Sequence, residues 1–256
     1  MEPVAPVARQ RAMQPPARTS AVVLLPLAVL ALVAAILAAC SASAPTPTPQ
    51  AVSSPAAAVQ AVQARTPLFD TFGPLNPDMI GQDRWWETQP LDGTDPPTGW
   101  TVRFTAGWGD CQAGCIDRHA WTWDVAADGT VTFVSEEGFP LNDQLLAGLR
   151  RDAKGPGAGG RVTAGPTCPV ERPNDPACAP RAVEGAVLLV RDGSGSEVIS
   201  ETTDGSGLFR FALEPGEYTL EPQPVEGLMG TAAPIAFIVT DGEVAWLDVA
   251  YDTGIR

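Results

Sequence analysis

Basic side chains are scarce in this sequence. Lysine occurs once, at Lys154, and lysine and arginine together number 16 against 30 acidic residues, which gives a formal net charge of −14 at pH 7. A nucleic-acid-binding protein draws its affinity from a basic surface that neutralises phosphates, so this charge balance excludes that class. It also excludes docking on anionic lipid headgroups by charge alone. We therefore expect no nucleic-acid partner.

Histidine is equally scarce, because the single histidine of the chain is His119. A zinc peptidase that holds its metal through two histidines and a carboxylate cannot be built from this sequence. The chain also contains no G-x-S-x-G elbow, P-loop or dinucleotide fingerprint. The adjacent carboxylates of Glu136 and Glu137 could serve a glycoside hydrolase, but such pairs are inevitable among 30 acidic residues. We expect a non-enzymatic protein with no catalytic residue, no cofactor and no metal ion. A small hydrolase centred on His119 is the alternative.

A long hydrophobic run lies near the amino terminus. Residues 1–20 contain three arginines, and residues 21–39 contain no charged side chain. A basic leader followed by an apolar stretch is the layout of a secretory signal. The run ends in Leu37-Ala38-Ala39-Cys40, which resembles the lipobox of bacterial lipoproteins.

The lipobox resemblance implies that residues 1–39 are a signal peptide and that a lipid on Cys40 anchors the mature chain to the cell membrane, on its extracytoplasmic side. Two alternatives stay open. The hydrophobic run is long enough to remain as an uncleaved membrane helix, or a simple signal peptide is cut near Ala42. All three interpretations place the folded part outside the cytoplasm.

Residues 40–66 are rich in alanine, proline and serine and contain few large apolar side chains. Such a segment buries too little surface to offset the conformational entropy that folding costs. We expect a disordered tether there, which would hold the folded domains away from the bilayer.

Five cysteines are present. If Cys40 carries lipid, the other four form two local pairs, Cys111 with Cys115 and Cys168 with Cys178. An even number of cysteines in an oxidising compartment predicts disulfides, and the spacing favours pairing within each local group.

A metal site is the alternative for the first pair. Cys111, Cys115 and His119 are spaced four residues apart, which would place all three on one face of a helix and offer ligands that zinc accepts. The glycines and strand-like runs around them oppose a helix, and the oxidising compartment favours the disulfide.

Residues 67–154 are predicted to form a small α+β domain rich in tryptophan. Alternation of apolar and polar residues predicts three antiparallel strands, over residues 100–108, 118–125 and 130–134. The sequence Asp128-Gly129 between the last two strands is typical of a hairpin turn.

Two short helices complete the prediction for this domain. One is placed over residues 76–87. The other closes the domain over residues 145–149, with Asn142 or Asp143 as its N-cap.

One face of the predicted sheet carries aromatic side chains, and two interpretations of it stay open. Trp121 and Trp123 could stack against a sugar or a peptide, or they could form the core of a small sheet, since aromatic rings supply much of the burial in a small domain. We favour the core. Residues beside the Cys111–Cys115 loop are the first candidates for recognition, because rigid loops on a scaffold carry binding. The possible binding surface comprises Asp110, Asp117, Arg118, His119, Trp121 and Trp123.

Glycines in residues 155–160 predict a flexible hinge, and residues 161–256 follow as a second domain. Short strand-like stretches with turn residues between them are typical of a β-sandwich. Seven strands are predicted, over residues 161–164, 185–191, 197–202, 207–213, 217–221, 235–240 and 244–250.

Residues 202–222 resemble the signature of carboxypeptidase regulatory-like domains, which are transthyretin-like or Cna-B-like Greek-key β-sandwiches. The matching positions are Thr203, Asp204, Gly207, Phe209, Phe211, Leu213, Pro215, Gly216, Tyr218 and Leu220. The resemblance implies a structural or adhesive module and says little about chemistry. Some surface-adhesin relatives carry a lysine–asparagine isopeptide crosslink, which is excluded here because residues 161–256 contain no lysine.

The sequence as a whole predicts a mainly β protein, in which a small α+β antiparallel-sheet domain is followed by a seven-stranded Greek-key β-sandwich. Its predicted function is that of a non-enzymatic, lipid-anchored surface protein that binds or scaffolds an extracellular protein or glycan. The alternative is a secreted inhibitor or an accessory subunit of an envelope enzyme or transporter.

Overall fold

The structure, a computed structural model, describes residues 51–170 and 175–256. The predicted signal peptide, Cys40 and the first part of the predicted tether lie outside the described residues. In the described ranges, no helix combines the length and the apolar character that crossing a bilayer requires.

A five-stranded sheet with the order β1-β2-β3-β4-β5 dominates the first half of the described chain. Its strands are β1 (Gly73–Pro74), β2 (Arg84–Pro90), β3 (Gly99–Trp108), β4 (Asp117–Ala126) and β5 (Val131–Gly138). Strands β2 to β5 form an antiparallel meander, and β1 pairs parallel with β2. The three strands predicted from alternation are confirmed as β3, β4 and β5. Gly129 adopts a φ of 89° in the predicted hairpin turn.

The helix predicted over residues 76–87 is wrong. The last four residues of that segment belong to β2, in register with β3 through pairs such as Trp86 with Phe104. Successive side chains of a strand alternate between the two faces, so Trp85 and Trp86 point to opposite sides of the sheet. Pairing with β3 therefore decides the conformation of this segment, which its own sequence left ambiguous.

Helix α1 (Pro55–Gln63) packs against the inner face of this sheet. Ser54 caps it, because the Ser54 hydroxyl accepts a hydrogen bond from a backbone N–H of the first turn at 3.2 Å. Val59 and Val62 are buried against the sheet. The prediction of a disordered tether is therefore wrong for residues 51–66. Small alanine side chains let the helix approach the sheet closely, and its valines supply the burial.

The tryptophan-rich face of the sheet belongs to the hydrophobic core. Trp121 and Trp123 are each 1% exposed. They pack against Phe69, which lies in a short 3-10 turn (Pro67–Phe69) beneath the sheet. The centroid of the Phe69 ring lies 5.1 Å from that of Trp121 and 5.4 Å from that of Trp123. Neither indole ring is open to a sugar or a peptide.

Helix α2 (Asp143–Asp152) closes the first half, as predicted. Asn142 is its cap, because the Asn142 side chain accepts a hydrogen bond from the backbone N–H of Leu145 at 2.8 Å. Leu149 of this helix joins the core beneath the sheet.

Two four-stranded sheets form the second half. One contains β6 (Gly157–Gly165), β7 (Arg181–Ala182), β10 (Leu208–Phe211) and β13 (Val244–Asp252), and the other contains β8 (Val187–Asp192), β9 (Glu197–Thr202), β11 (Gly216–Pro222) and β12 (Ile235–Val239). The first sheet has the order β10-β6-β13, with β7 paired on β6, and the second has the order β12-β11-β8-β9. The predicted mainly β architecture is confirmed, and the two-residue β7 adds to the seven predicted strands.

The hinge predicted over residues 155–160 is wrong from residue 157 onward, because β6 begins there and its first four residues are buried. Gly159 lies against the side chain of Pro67, and Gly160 lies against the backbone carbonyl of Leu247. A Cβ at either position would collide with these atoms. Glycine is needed here because neighbouring parts of the chain pack directly against its backbone, and it does not make the segment flexible.

All described residues belong to one compact unit. The indole N–H of Trp123 donates to Asp204 at 3.1 Å, and Arg210 donates to Asp70 at 2.8 Å. Leu208 of β10 packs into the core beneath the five-stranded sheet. These contacts hold the five-stranded sheet and the sandwich in a defined orientation.

Candidate functional site

Both predicted disulfides are confirmed. One joins Cys111 to Cys115 in the loop between β3 and β4, and the other joins Cys168 to Cys178. The zinc alternative required a helix over the first pair and His119. Residues 111–113 instead form a single 3-10 turn, and His119 lies in β4.

The six residues of the predicted binding surface do not share one surface. In β4 the side chains alternate between faces, which separates Arg118 from its two neighbours. Three of the six, Asp110, Asp117 and Arg118, adjoin the cystine loop at or near the surface, whereas His119, Trp121 and Trp123 are buried. Of the six, only Arg118 lies on the outer face of the sheet, where it borders the depressions beside the cystine loop.

A groove crosses the outer face of the five-stranded sheet beside the cystine loop. It consists of two adjoining depressions, of about 600 and 340 Å³, and both are bordered by Trp85, Glu87 and Arg118. The guanidinium carbon of Arg118 lies 5.6 Å from the centre of the Trp85 ring, and Arg118 Nη2 donates to the carbonyl oxygen of Gly114 at 2.7 Å. Cation–π attraction and this hydrogen bond tie the loop to the sheet. We call this feature the cystine-loop groove.

One wall of the cystine-loop groove is the segment 75–82, which sequence reasoning missed. Met79 is 55% exposed and Ile80 is 83% exposed. The Gln82 side chain fixes the segment, because its Oε1 accepts a hydrogen bond from the backbone N–H of Asn76 at 2.9 Å. The available signal was two adjacent large apolar residues inside a segment of turn-forming residues, which the helix prediction concealed.

The far end of the groove is polar. Thr105 and Ala120 form its floor of small side chains. Glu137 pairs with Arg103 at 2.6 Å, and Glu87 accepts a hydrogen bond from the Trp85 indole N–H at 3.2 Å. The groove thus joins exposed aliphatic side chains at one end to charged side chains at the other, as at many protein–protein interfaces.

His119 lies on the other face of the sheet, inside a polar network. Its Nδ1 lies 2.7 Å from the carbonyl oxygen of Phe139, and its Nε2 lies 2.9 Å from Oε1 of Glu136. Arg161 of β6 donates to both oxygens of Glu136, to Oε1 at 3.1 Å. Both ring nitrogens of His119 therefore face oxygen atoms of the protein itself.

Acid is expected to remove a stabilising contribution of Glu136. Burial raises the pKa of this carboxyl, but the hydrogen bond from His119 and the positive charge of Arg161 outweigh burial, and the net pKa lies below 4.5. The pKa of Glu136 is therefore lower in the folded state than in the unfolded state. Its stabilising contribution is complete above the unfolded-state pKa and is lost as pH falls through the folded-state pKa. Melting temperatures measured across the acid range should therefore fall less steeply in Glu136→Gln than in the wild type.

Glu137→Gln is the matched control for this measurement. Glu137 is the next residue of β5, but its side chain is 57% exposed and pairs with Arg103 at the surface. Such exposed pairs contribute little, so the acid profile of Glu137→Gln should follow the wild type. Equal flattening in both variants would contradict the role assigned to Glu136.

No protein-family model matches the chain, and comparison with curated proteins gives no match. Solved structures that show some similarity include the minor pilin GBS52 of Streptococcus agalactiae, the TIE protein of Bacillus anthracis and BcpA, the major pilin subunit of Bacillus cereus.

These similarities are weak. The sequence identities are 12%, 11% and 11%, and the TM-scores are 0.31, 0.29 and 0.27. The matches cover 59%, 68% and 54% of this chain, and 68%, 27% and 39% of those proteins in the same order. This chain therefore spans well under two thirds of the length of the last two. The assignment of a β-sandwich rests on the strand pairing of the chain itself.

Proposed function

We propose that this chain is a non-enzymatic, extracytoplasmic surface protein, anchored by a lipid on Cys40, that binds an extracellular protein through the cystine-loop groove. The observation that carries the proposal is the exposure of Met79 and Ile80 beside a disulfide-bonded loop. Large aliphatic side chains held in water at the edge of a rigid groove favour contact with the apolar surface of a partner.

A protein fits this groove better than a glycan does. A sugar ring packs on an open aromatic face, but Trp85 is only 7% exposed and lies beneath the guanidinium of Arg118. The exposed groups are aliphatic, and such groups gain most from an apolar side chain that excludes water from the contact.

The environment of His119 supports binding over catalysis. A general base must reach the proton that it removes from a substrate. Both ring nitrogens of His119 face acceptors within the protein, and the thiols nearest in sequence, Cys111 and Cys115, are consumed in a disulfide. A hydrolase centred on His119 would lack both a free base and a thiol nucleophile from this pair.

The two disulfides also support a location outside the cytoplasm. Disulfides persist in oxidising compartments and are rare where cellular thiols keep cysteines reduced. The secretory layout of residues 1–39 and the lipobox-like sequence ending at Cys40 supply the route and the anchor for that location.

Photo-crosslinking on intact cells tests the function. A photoreactive amino acid at position 80 of the full-length chain is expected to give a prominent adduct with one surface protein, because Ile80 would lie within the interface. Position 238 is the matched control, since Ile238 is also a large aliphatic residue, 64% exposed, but lies in β12 of the sandwich. Little or no adduct is expected there.

Equal adducts at both positions, or none at position 80, would contradict the proposed groove. An adduct with an envelope enzyme or transporter would support the accessory-subunit alternative. The intact mass of the same chain, extracted from membranes, tests the anchor. The mature chain should begin at Cys40 and carry acyl groups, and a chain that begins elsewhere would contradict the anchor.

A further inference from the structure

A larger cavity, of about 980 Å³, lies between the five-stranded sheet and the sandwich. Small-molecule sites in proteins commonly measure about 300–1,000 Å³ and are mostly apolar. Both halves of the chain supply apolar side chains to this lining, among them Leu68, Phe133, Leu141, Leu146, Leu208 and Trp246. The cavity is separate from the cystine-loop groove, which lies on the outer face of the sheet.

Two arginine–carboxylate pairs belong to the polar part of the lining, which also includes His119 and Arg181. Arg161 donates to both oxygens of Glu136. Arg150 donates to both oxygens of Asp248, at 3.0 and 2.6 Å. The guanidinium carbon of Arg150 also lies 5.4 Å from the centre of the Trp246 ring, which fixes its position in the cavity wall.

The charged side chains of the lining favour an anion, because three arginines, Arg150, Arg161 and Arg181, stand against two carboxylates, Glu136 and Asp248. A guanidinium carries five N–H donors, four of them on its two Nη atoms. Arg150 and Arg161 each spend two Nη–H donors on a carboxylate, which leaves two Nη–H donors on each arginine. A ligand with a negative charge and acceptor oxygens therefore suits this cavity better than a cation does.

We infer that this cavity binds a small molecule with an apolar body and a carboxylate-like head group. The body packs on the apolar wall that includes Leu146 and Phe133, and the head accepts hydrogen bonds from Arg150 and Arg161. This site lies outside the proposed protein-binding groove, so either of the two stands if the other fails.

Fluorescence titration of the full mature chain with 8-anilinonaphthalene-1-sulfonate tests the site. This probe combines an aromatic body with a sulfonate head, and Trp121 and Trp246 in the lining can transfer excitation energy to it. We expect saturable binding of one probe per chain. Leu146→Trp fills part of the cavity and should weaken that binding by about tenfold or more.

Leu145→Trp is the matched control. Leu145 precedes Leu146 in α2 and is equally half-buried, but it does not line the cavity. Its affinity for the probe should stay at the wild-type value, provided that both variants keep the wild-type melting profile. An equal loss in both variants, or no loss in Leu146→Trp, would overturn the site.

Competition on the wild-type chain tests the head group without any substitution. Decanoate should displace the probe, whereas decyltrimethylammonium, which has the same alkyl chain but no acceptor atom, should not. The assignment of an acceptor-bearing ligand would be overturned if the ammonium compound displaced the probe as strongly as decanoate does. It would also be overturned if neither compound displaced the probe.

Discussion

Trp121→Ala is expected to lower the free energy of unfolding by about 3–5 kcal/mol, which is the usual cost of removing a large aromatic side chain from a core. The Trp121 indole is 1% exposed. Its ring lies 5.1 Å from that of Phe69 and 4.4 Å from that of His119. Removing the indole leaves a cavity that α1 and the sheet cannot close without losing contacts elsewhere.

Urea unfolding followed by far-UV circular dichroism measures this loss, and Trp108→Ala is its control. Trp108 lies at the end of β3, is half-exposed and takes no part in the core. We expect Trp108→Ala to cost about 1 kcal/mol or less. A similar cost at both positions would contradict the assignment of the tryptophan-rich face to the core.

Gly160→Ala is expected to lower the free energy of unfolding by about 3 kcal/mol, at the upper end of the range for overpacked sites. An added Cβ would collide with the backbone carbonyl of Leu247 and would lie 2.9 Å from the ring of Phe209. Gly160 pairs with Leu247 in the sheet, so relief requires a shift of β6 or β13. A backbone shift in a central strand disturbs its pairing along the whole strand.

Gly193→Ala controls for the general effect of replacing glycine. Gly193 lies in the exposed turn between β8 and β9, and nothing lies within 4 Å of a Cβ added there. Alanine reduces the freedom of the unfolded chain, so the free energy of unfolding should stay the same or rise by a few tenths of a kcal/mol. If both alanine variants keep the wild-type free energy of unfolding in urea, the close packing at Gly160 does not contribute to stability.

Strands β3, β4 and β5 could be predicted because the sequence features that specify them lie within the strands and the turn between them. Period-two alternation and the Asp128-Gly129 turn specify a meander without reference to any other part of the chain. The same holds for the cap of α2 at Asn142.

The segments that sequence reasoning misjudged are those whose conformation depends on distant partners. Residues 51–66 have mostly small side chains and few large apolar ones, so the segment would not fold alone. Residues 55–63 form a helix because the sheet provides a surface that buries Val59 and Val62. Residues 157–160 look flexible because four residues in sequence are glycine or alanine, yet Pro67 and Leu247 enclose them. The composition of a segment indicates its conformational preference in isolation, but it does not indicate which distant residues pack against it.

The candidate sites show the same division. Arg118 was found from its place beside a predicted disulfide loop, which is a local feature. Sequence patterns did not reveal the groove wall at Met79 and Ile80. They also did not reveal the network of His119, Glu136 and Arg161, because its members come together from separate strands.

By itself, the sequence determined the acidic charge, the local cysteine pairs, the β-meander and the strands of the sandwich. It also carries the export layout that underlies the proposed location. Each of these depends on composition or on neighbours a few residues apart. Tertiary structure alone decided that Trp121 and Trp123 are core, that the glycines of β6 serve close packing, and that a groove and a cavity exist. Burial and the meeting of charged side chains depend on which distant surfaces pack together, and that is a property of the whole fold.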